Sequence, residues 1–205
     1  MGGRTMAAPR EHDGYEAFQY LNEEAFERFE LPDDYQWGES YRLALSPEEE
    51  ERAARVAAEH VVVSLHDHPV YVPADMAADF EDYSREGRLF TAYDALAESP
   101  LDAVFDNVAL ASGASRSGGK LEDVLHELGT RSTDVAHQDL LVKAGSVDDV
   151  RAASEAGRIA WVPAVETSRA IENELDRIEV LFGAGVRKMG ITYSESNALG
   201  SGLAE

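Results

Sequence analysis

The stretch VVVSLHDHP, residues 61–69, contains the residues whose types and spacing most directly suggest chemistry. An apolar, β-branched run of this length is typical of a buried strand, and it ends in His66, Asp67 and His68. Because side chains alternate between the two faces of a strand, the two histidines project to one side and Asp67 to the other. Two imidazoles on one side can bind one metal ion, with Zn–N distances of about 2.0–2.1 Å. The alternative is a pair of turn histidines that bond to backbone groups or to solvent.

Two further groups of polar residues follow apolar runs later in the chain. Glu166 is the first ionisable residue after the run 159–165. It is either a metal ligand or general base, or a cap for the helix expected to begin at Ser168. Tyr193 and Asn197 follow the stretch VRKMGITY in a turn-rich loop. Taken alone, they are more simply a structural tyrosine and a turn asparagine.

The elements that must position these residues are clearest from Ser146 onward. There the sequence predicts a helix, a buried strand, a second helix and a second strand, joined by short links, as in parallel β/α units. The first helix is SVDDVRAASEAG, with Ser146 as its N-cap and Gly157 as its end, and the first strand is RIAWVPAVE. The second helix is TSRAIENELDRIEVLFGAG, which ends at Gly183 and has Ile171, Leu175, Ile178 and Leu181 on one face. The second strand is VRKMGITY.

The earlier part of the chain is less regular. Residues 1–14 are predicted to be mobile, and residues 15–60 to form a helical extension that leads into the strand at 61. Within the extension, Ser46 and Glu49 have the spacing of a capping box. Further on, FDNVALAS predicts a strand, and KLEDVLHELG predicts a short amphipathic helix that ends at Gly129.

The candidate residues share one placement. His66, His68, Glu166 and Tyr193 each stand at the carboxyl end of a predicted parallel strand. In a (β/α)8 barrel this end of the strands carries the active site, where side chains from different strands converge. One shared site therefore explains these positions more economically than a separate structural reason for each.

Composition narrows the classes of function. The 205 residues include 40 acidic and 18 basic side chains, for a formal net charge of -22, which disfavours binding to nucleic acid. The absence of cysteine excludes disulfides, a thiol nucleophile and cysteine metal ligands. No apolar run approaches the roughly 20 residues of a membrane span, so we expect a cytoplasmic protein without a membrane partner. The acidic excess and the scarcity of lysine suggest a halophile; an ordinary acidic cytosolic protein is the alternative.

Three segments together resemble the membrane (renal-type) dipeptidase family of zinc metallopeptidases, which has an amidohydrolase-like barrel. They are HDHP, GRIAWVPAVE after its Ser-Val-Asp-Asp helix start, and GVRKMGITYSESNALGSG, and the resemblance covers about residues 61–202. It implies that His66 and His68 hold zinc, that Glu166 bridges two zinc ions and acts in catalysis, and that Tyr193 and Asn197 contact a small peptide substrate.

Position 68 departs from the family pattern, because many members have aspartate there. His-x-His is common in the wider amidohydrolase group. A different amidohydrolase with a non-peptide amide substrate therefore remains an alternative, as does a non-catalytic acidic binding module.

The resemblance implies an α/β fold with a partial (β/α)8 barrel, about the first half, in residues 61–205, preceded by the helical extension. A complete barrel typically needs about 250 residues. The family's other ligands, two histidines and an aspartate, are expected beyond residue 205. We therefore expect a fragment that is inactive alone, with a homodimer or a chain carrying the second half of the barrel as its partner.

Overall fold

The computed structural model describes residues 10–22, 24, 26, 28–32, 44–108, 120–194 and 196–204. The described residues form helices and parallel strands that largely alternate along the chain. The helices are α1 Pro47–Glu59, α2 Met76–Glu86, α3 Tyr93–Glu98, α4 Leu121–Val135, α5 Val147–Glu155 and α6 Arg177–Ala184, with a 3-10 helix at Ser168–Ile171. The strands are β1 Val63–Asp67, β2 Ala103–Val108, β3 Leu141–Lys143, β4 Ile159–Val165 and β5 Lys188–Met189.

Strand β4 is the centre of a five-stranded sheet in which all paired strands run parallel. Strand β2 lies along one edge of β4, and β1 pairs with β2. Strand β3 pairs with the beginning of β4 and β5 with its end, so these two short strands share the other edge. This curled parallel sheet with its helices confirms the expected α/β fold, part of a (β/α)8 barrel.

Every residue of β4 is buried, as the apolar stretch RIAWVPAVE predicted. The indole Nε1 of Trp161 donates to a carboxylate oxygen of Asp106 on β2 at 2.7 Å. The same oxygen forms a buried ion pair with Arg131 of α4. A buried charge is tolerated only when it is paired and hydrogen-bonded, and this network fixes α4 against the sheet.

Helix α4 does not end at Gly129, so that prediction was wrong. It continues to Val135, because its last turns are held by buried polar contacts. Arg131 reaches Asp106, and the fully buried Asp134 accepts three hydrogen bonds. These contacts outweigh the cost of roughly 1 kcal/mol for a glycine inside a helix.

The segment after β4 also differs from its prediction of one long helix. The chain forms the 3-10 helix, breaks at Glu172, whose φ is 51°, and resumes as α6. Ile171 and Leu181 are buried, whereas Leu175 and Ile178 are exposed, so the predicted four-residue face is divided. Helix α6 ends at Gly185, with φ 111°, and not at Gly183.

Of the predicted strand VRKMGITY, only Lys188 and Met189 form a strand, which is β5. By contrast, the predicted caps are present. Ser46 and Glu49 form a complete capping box at α1. Ser146 caps α5, and Gly157 follows that helix with φ 73°. Residues 109–112 of the predicted strand FDNVALAS lie outside the described residues, and residues 103–108 form β2.

The predicted helical extension is helical only in α1 among its described residues. Residues 17–20 form a turn, and residues 28–32 have no regular structure. This segment is instead fixed by packing, since Phe18 is fully buried and its backbone N–H donates to Asp134. Residues 1–9 of the predicted mobile N-terminus lie outside the described residues. The side chain of Arg10 is only 6% exposed and forms an ion pair with Asp102 at 3.0 Å.

No helix in the described part of the chain is long and apolar enough to cross a membrane.

Candidate metal centre

His66, His68 and Glu166 converge at the carboxyl ends of β1 and β4. One ligand atom from each of the three lies within 4.8 Å of the others. The His66 Nε2 atom is 3.3 Å from Glu166 Oε1, and the His68 Nε2 atom is 3.8 Å from the same oxygen. The two rings face one side of β1, with centroids 5.4 Å apart. Their convergence agrees with the predicted common side, although β1 ends at Asp67 and its register with β2 shifts between Ser64 and Asp67.

The spacing of these atoms fits a single transition-metal ion. Two ligand atoms about 2.0–2.1 Å from one ion at a tetrahedral angle lie roughly 3.3–3.4 Å from each other. The observed separations of 3.3 and 3.8 Å are close to that value. Two imidazoles and a carboxylate are also a donor set that zinc and related divalent ions accept. The three side chains can therefore hold a metal with small adjustments.

His68 is oriented for this role by the backbone of β2. Its Nδ1 atom lies 3.2 Å from the carbonyl oxygen of Asn107, which can only accept a hydrogen bond. The Nδ1 atom therefore carries the proton, and the lone pair of Nε2 points toward Glu166. A hydrogen bond from the second ring nitrogen to a carbonyl is the usual support of a metal-binding histidine.

His66 has a different neighbour, the ammonium group of Lys188. The Lys188 Nζ atom is 2.9 Å from His66 Nδ1 and 3.2 Å from the side-chain oxygen of Asn107. The sheet register explains this reach, because Asn107, Ala164 and Lys188 lie in one row across β2, β4 and β5. The small side chain of Ala164 in the middle of the row leaves space for the lysine to cross it.

The buried side chain of Asn107 holds this corner of the sheet together. Its amide nitrogen donates to the carbonyl oxygen of Asp67 at 3.2 Å, while its oxygen accepts from Lys188. Asn107 is 2% exposed. One residue at the end of β2 thus contacts the ends of both β1 and β5.

Glu166 is positioned by close backbone packing against Gly190. The N–H of Gly190 donates to the carbonyl of Val165 at 2.9 Å. A Cβ atom on Gly190 would stand 1.9 Å from the carbonyl oxygen of Glu166. Only glycine permits this approach, so the residue after β5 fixes the backbone that presents the Glu166 carboxylate.

The structure does not join Tyr193 and Asn197 to this cluster by any described contact. Tyr193 is 47% exposed. The amide nitrogen of Asn197 donates to the Ile191 carbonyl at 2.6 Å and to Ser168 Oγ at 3.2 Å. Asn197 therefore braces its own loop, which is the turn role that its residue type alone suggested. Contact of either residue with substrate stays a prediction.

A second concave feature lies away from the three ligands. A cavity of about 400 Å³ is bounded by the N-terminal segment and by the residues around Thr91. Its lining includes Tyr15, Tyr93 and Arg28, and none of the candidate metal ligands. The metal cluster is therefore a separate site on the strand ends.

Sequence reasoning missed Asn107 and Lys188. Each residue has a feature in the sequence that could have pointed to it. Asn107 is one of two polar residues, with Asp106, in a strand whose other residues are apolar, and Lys188 is one of only three lysines in a chain of net charge -22. Their meaning depends on strand neighbours that are far apart in sequence, and no local pattern supplies those neighbours.

Comparison with known proteins connects this geometry to a family. The family model described as membrane dipeptidase (peptidase family M19) matches residues 50–205, which include all three candidate ligands. No curated protein matches the chain. Among solved structures, an amidohydrolase from Pseudomonas aeruginosa has a similar fold, with a TM-score of 0.53 and 19% sequence identity. The similarity covers 78% of this chain and 41% of the length of that amidohydrolase.

Proposed function

The chain belongs to the membrane dipeptidase family of hydrolases, and from that premise we propose that it supplies part of a zinc-dependent enzyme that hydrolyses dipeptides. The proposed centre holds two zinc ions in the complete enzyme. His66 and His68 would hold one of them, and Glu166 would be a ligand shared by the two. The proposed substrate is a small peptide with one amide bond to be cleaved.

One observation carries this proposal. Within the region that matches the family, three residues of metal-binding type lie within 4.8 Å at the ends of two parallel strands. These ends of barrel strands are where side chains from distant parts of a sequence meet to form active sites. The histidine at position 68 keeps the donor set competent, because a neutral imidazole replaces a carboxylate oxygen as ligand.

Each residue has a defined part in the proposed reaction. Zinc at such ligands polarises an amide carbonyl and makes water acidic enough to ionise near neutral pH. Glu166 holds its carboxylate in a largely buried position, with 11% of the side chain exposed, where it can accept a proton from water. The Asn107 carbonyl keeps the His68 ring in the orientation and tautomer that ligation requires. Tyr193 and Asn197 are proposed to contact the substrate.

Metal binding is the first test. Zinc binding to the metal-free chain is measured by calorimetry, alongside the variants His68→Ala and Glu166→Gln. We expect zinc to bind the unmodified chain and each variant to lose at least about tenfold in affinity. The matched control His60→Ala, at the exposed end of α1, should bind like the unmodified chain. Equal zinc binding by all four proteins would contradict the proposed centre and would favour an acidic module with structural histidines.

Catalysis is proposed to need further barrel strands, from a second copy of the chain or from a polypeptide that carries the rest of the barrel. Strand β1 is an edge strand, and its Val63 and Leu65 side chains are 39% and 65% exposed. Light scattering of the zinc-loaded chain, paired with assays on dipeptides of L- and D-residues, tests this. Turnover by a strictly monomeric chain would refute the need for a partner. Zinc binding without dipeptide turnover in any assembled form would refute the dipeptidase activity.

A further inference from the structure

The neighbours of the two histidines in the cluster favour opposite tautomers. At His66, the Nδ1 atom faces Lys188 Nζ at 2.9 Å, and the Nε2 atom faces Glu166 Oε1 at 3.3 Å. A lysine ammonium has three donors and no acceptor. It therefore donates to Nδ1, and the ring proton of His66 lies on Nε2, the ring nitrogen that is 3.3 Å from Glu166 Oε1.

His68 shows the reverse arrangement. Its Nδ1 proton is donated to the Asn107 carbonyl, and its Nε2 lone pair is available. A neutral imidazole binds a metal only through the nitrogen that carries no proton. With these tautomers, His68 can bind a metal through Nε2, whereas the Nε2 atom of His66 carries a proton and cannot.

We propose that Lys188 competes with the metal for His66 and so lowers the metal affinity of the site. Ligation through His66 Nε2 requires the ring proton to move to Nδ1, and a protonated Nδ1 cannot accept a hydrogen bond from Lys188. The contact at 2.9 Å must therefore break when the metal binds. Asn107 Oδ1, 3.2 Å from the same ammonium group, remains as its partner after the change.

This competition implies an order of binding. Metal meets His68 and Glu166 first, since both present free lone pairs, and His66 joins only after Lys188 withdraws. The positive charge of Lys188 opposes the incoming cation as well. The inference rests on the proposed metal centre, but the tautomers themselves belong to the metal-free protein and are measured without metal.

The first experiment reads the tautomers directly. Two-dimensional ¹H–¹⁵N spectra of the imidazole rings are recorded on the metal-free chain at a pH at which the rings are neutral. His66→Gln and His68→Gln assign the signals. We expect His66 to be protonated at Nε2 and His68 at Nδ1, and Lys188→Gln to shift His66 toward the Nδ1-protonated form. A His66 ring already protonated at Nδ1 in the unmodified chain would overturn the proposal.

The second experiment measures zinc affinity by competition with a chromophoric chelator. The glutamine in Lys188→Gln has an oxygen that can accept from a protonated Nδ1, so this variant should bind zinc about tenfold more tightly than the unmodified chain. Lys188→Arg retains a donor-only cation and should stay near the unmodified value. Lys120→Gln removes the same charge at the exposed residue before α4 and controls for net charge.

The outcomes separate the two proposals. Tighter zinc binding by Lys188→Gln alone supports the competition. Equal or weaker binding by that variant, while His68→Ala abolishes binding, overturns the role of Lys188 and leaves the metal centre standing. If neither the unmodified chain nor Lys188→Gln binds zinc, the metal centre fails and this inference fails with it. Tightening by Lys120→Gln to the same degree would assign the effect to net charge and would overturn the competition.

Discussion

At the scale of single residues, Gly190 links the end of β5 to the presentation of Glu166. A Cβ atom at position 190 would meet the Glu166 carbonyl oxygen at 1.9 Å and its carbon at 2.8 Å, and both are backbone atoms that cannot rotate away. We predict that Gly190→Ala displaces this backbone, lowers the free energy of unfolding by about 1–3 kcal/mol and weakens zinc binding. Urea denaturation and zinc titration measure the two effects.

Gly183 provides the matched control for this change. It lies within α6, and a Cβ atom there would meet no atom within 4 Å. Gly183→Ala should therefore raise the free energy of unfolding by about 0.4–1 kcal/mol, as expected for glycine to alanine in an unstrained helix. It should leave zinc affinity unchanged. If both variants lose zinc affinity equally, the packing of Gly190 against Glu166 does not position the ligand.

The grouping of the three candidate ligands could be predicted from sequence, but their neighbours could not. His66 and His68 are two residues apart at the end of an apolar run, and Glu166 is the first ionisable residue after another, so the predicted strand ends were sufficient. The predicted burial of the first run was wrong, because β1 is an edge strand and Leu65 is 65% exposed. Lys188 lies 122 residues from His66 in sequence. Their contact depends on the register of β2, β4 and β5, which is set by packing across the whole sheet.

At the scale of elements, Asp134 on α4 fixes the N-terminal segment to the barrel. Its fully buried carboxylate accepts from Tyr15 OH at 2.7 Å, Phe18 N–H at 2.7 Å and Tyr93 OH at 2.6 Å. Asp134→Ala removes the acceptor of three donors, and we predict a loss on the order of 3 kcal/mol in the free energy of unfolding. The measurements are urea denaturation and limited proteolysis, which should cut first between residues 10 and 32.

Asp139 is the control for the loss of a carboxylate. It lies four residues after the end of α4 and is exposed, so Asp139→Ala should change the free energy of unfolding by less than about 0.5 kcal/mol. Should Asp134→Ala be cut by protease no faster than Asp139→Ala in the N-terminal segment, the segment is held by other contacts.

The same buried network predicts sensitivity to alkali. Burial, together with the adjacent Asp134 carboxylate, raises the pKa of Tyr93 well above its usual range. Above about pH 10 the unfolded chain loses the Tyr93 proton while the folded chain retains it. The stability conferred by this tyrosine is therefore complete below pH 10 and falls by about 1.4 kcal/mol per pH unit above it. In Tyr93→Phe, this part of the slope should disappear in urea titrations between pH 10 and 12; an unchanged slope would contradict the shift.

Local sequence signals predicted the caps of α1 and α5 better than the lengths of α4 and of the helix after β4. The capping box at Ser46, the cap at Ser146 and the stop at Gly157 depend on hydrogen bonds within one turn, and all three are present. Helix α4 passes Gly129, and the segment after β4 breaks at Glu172. Both outcomes depend on tertiary contacts such as that of Arg131 with Asp106, which helix propensity does not contain.

At the scale of the whole molecule, alternation of helix and strand was enough to predict a parallel α/β sheet. The partial barrel agrees with a similarity that covers 41% of the length of the solved amidohydrolase. The irregular packing of residues 15–32 did not follow, because it depends on the buried acceptor Asp134 and on aromatic contacts such as that of Phe18 with Phe26.

The net charge of -22 leads to a prediction about salt. Like charges spread over the surface repel one another and destabilise the folded chain, and α1 alone carries Glu48, Glu49 and Glu50 in its first turn. The screening length falls from about 10 Å at 0.1 M salt to about 3 Å at 1 M. We therefore expect the free energy of unfolding in urea to rise steadily between dilute buffer and molar potassium chloride.

The charge origin of this effect is tested by a variant and by a neutral solute. Glu59→Gln removes a negative charge from the last residue of α1, where the helix dipole also disfavours a carboxylate, and leaves the Glu49 side chain of the capping box in place. It should be more stable than the unmodified chain in dilute buffer and should gain less from salt. Sucrose stabilises proteins through its exclusion from their surface and not through screening, so it should act equally on both proteins. If the free energy of unfolding of the unmodified chain is the same in dilute buffer and in molar salt, the prediction is wrong. The acidic surface would then keep the chain soluble without lowering its folding stability.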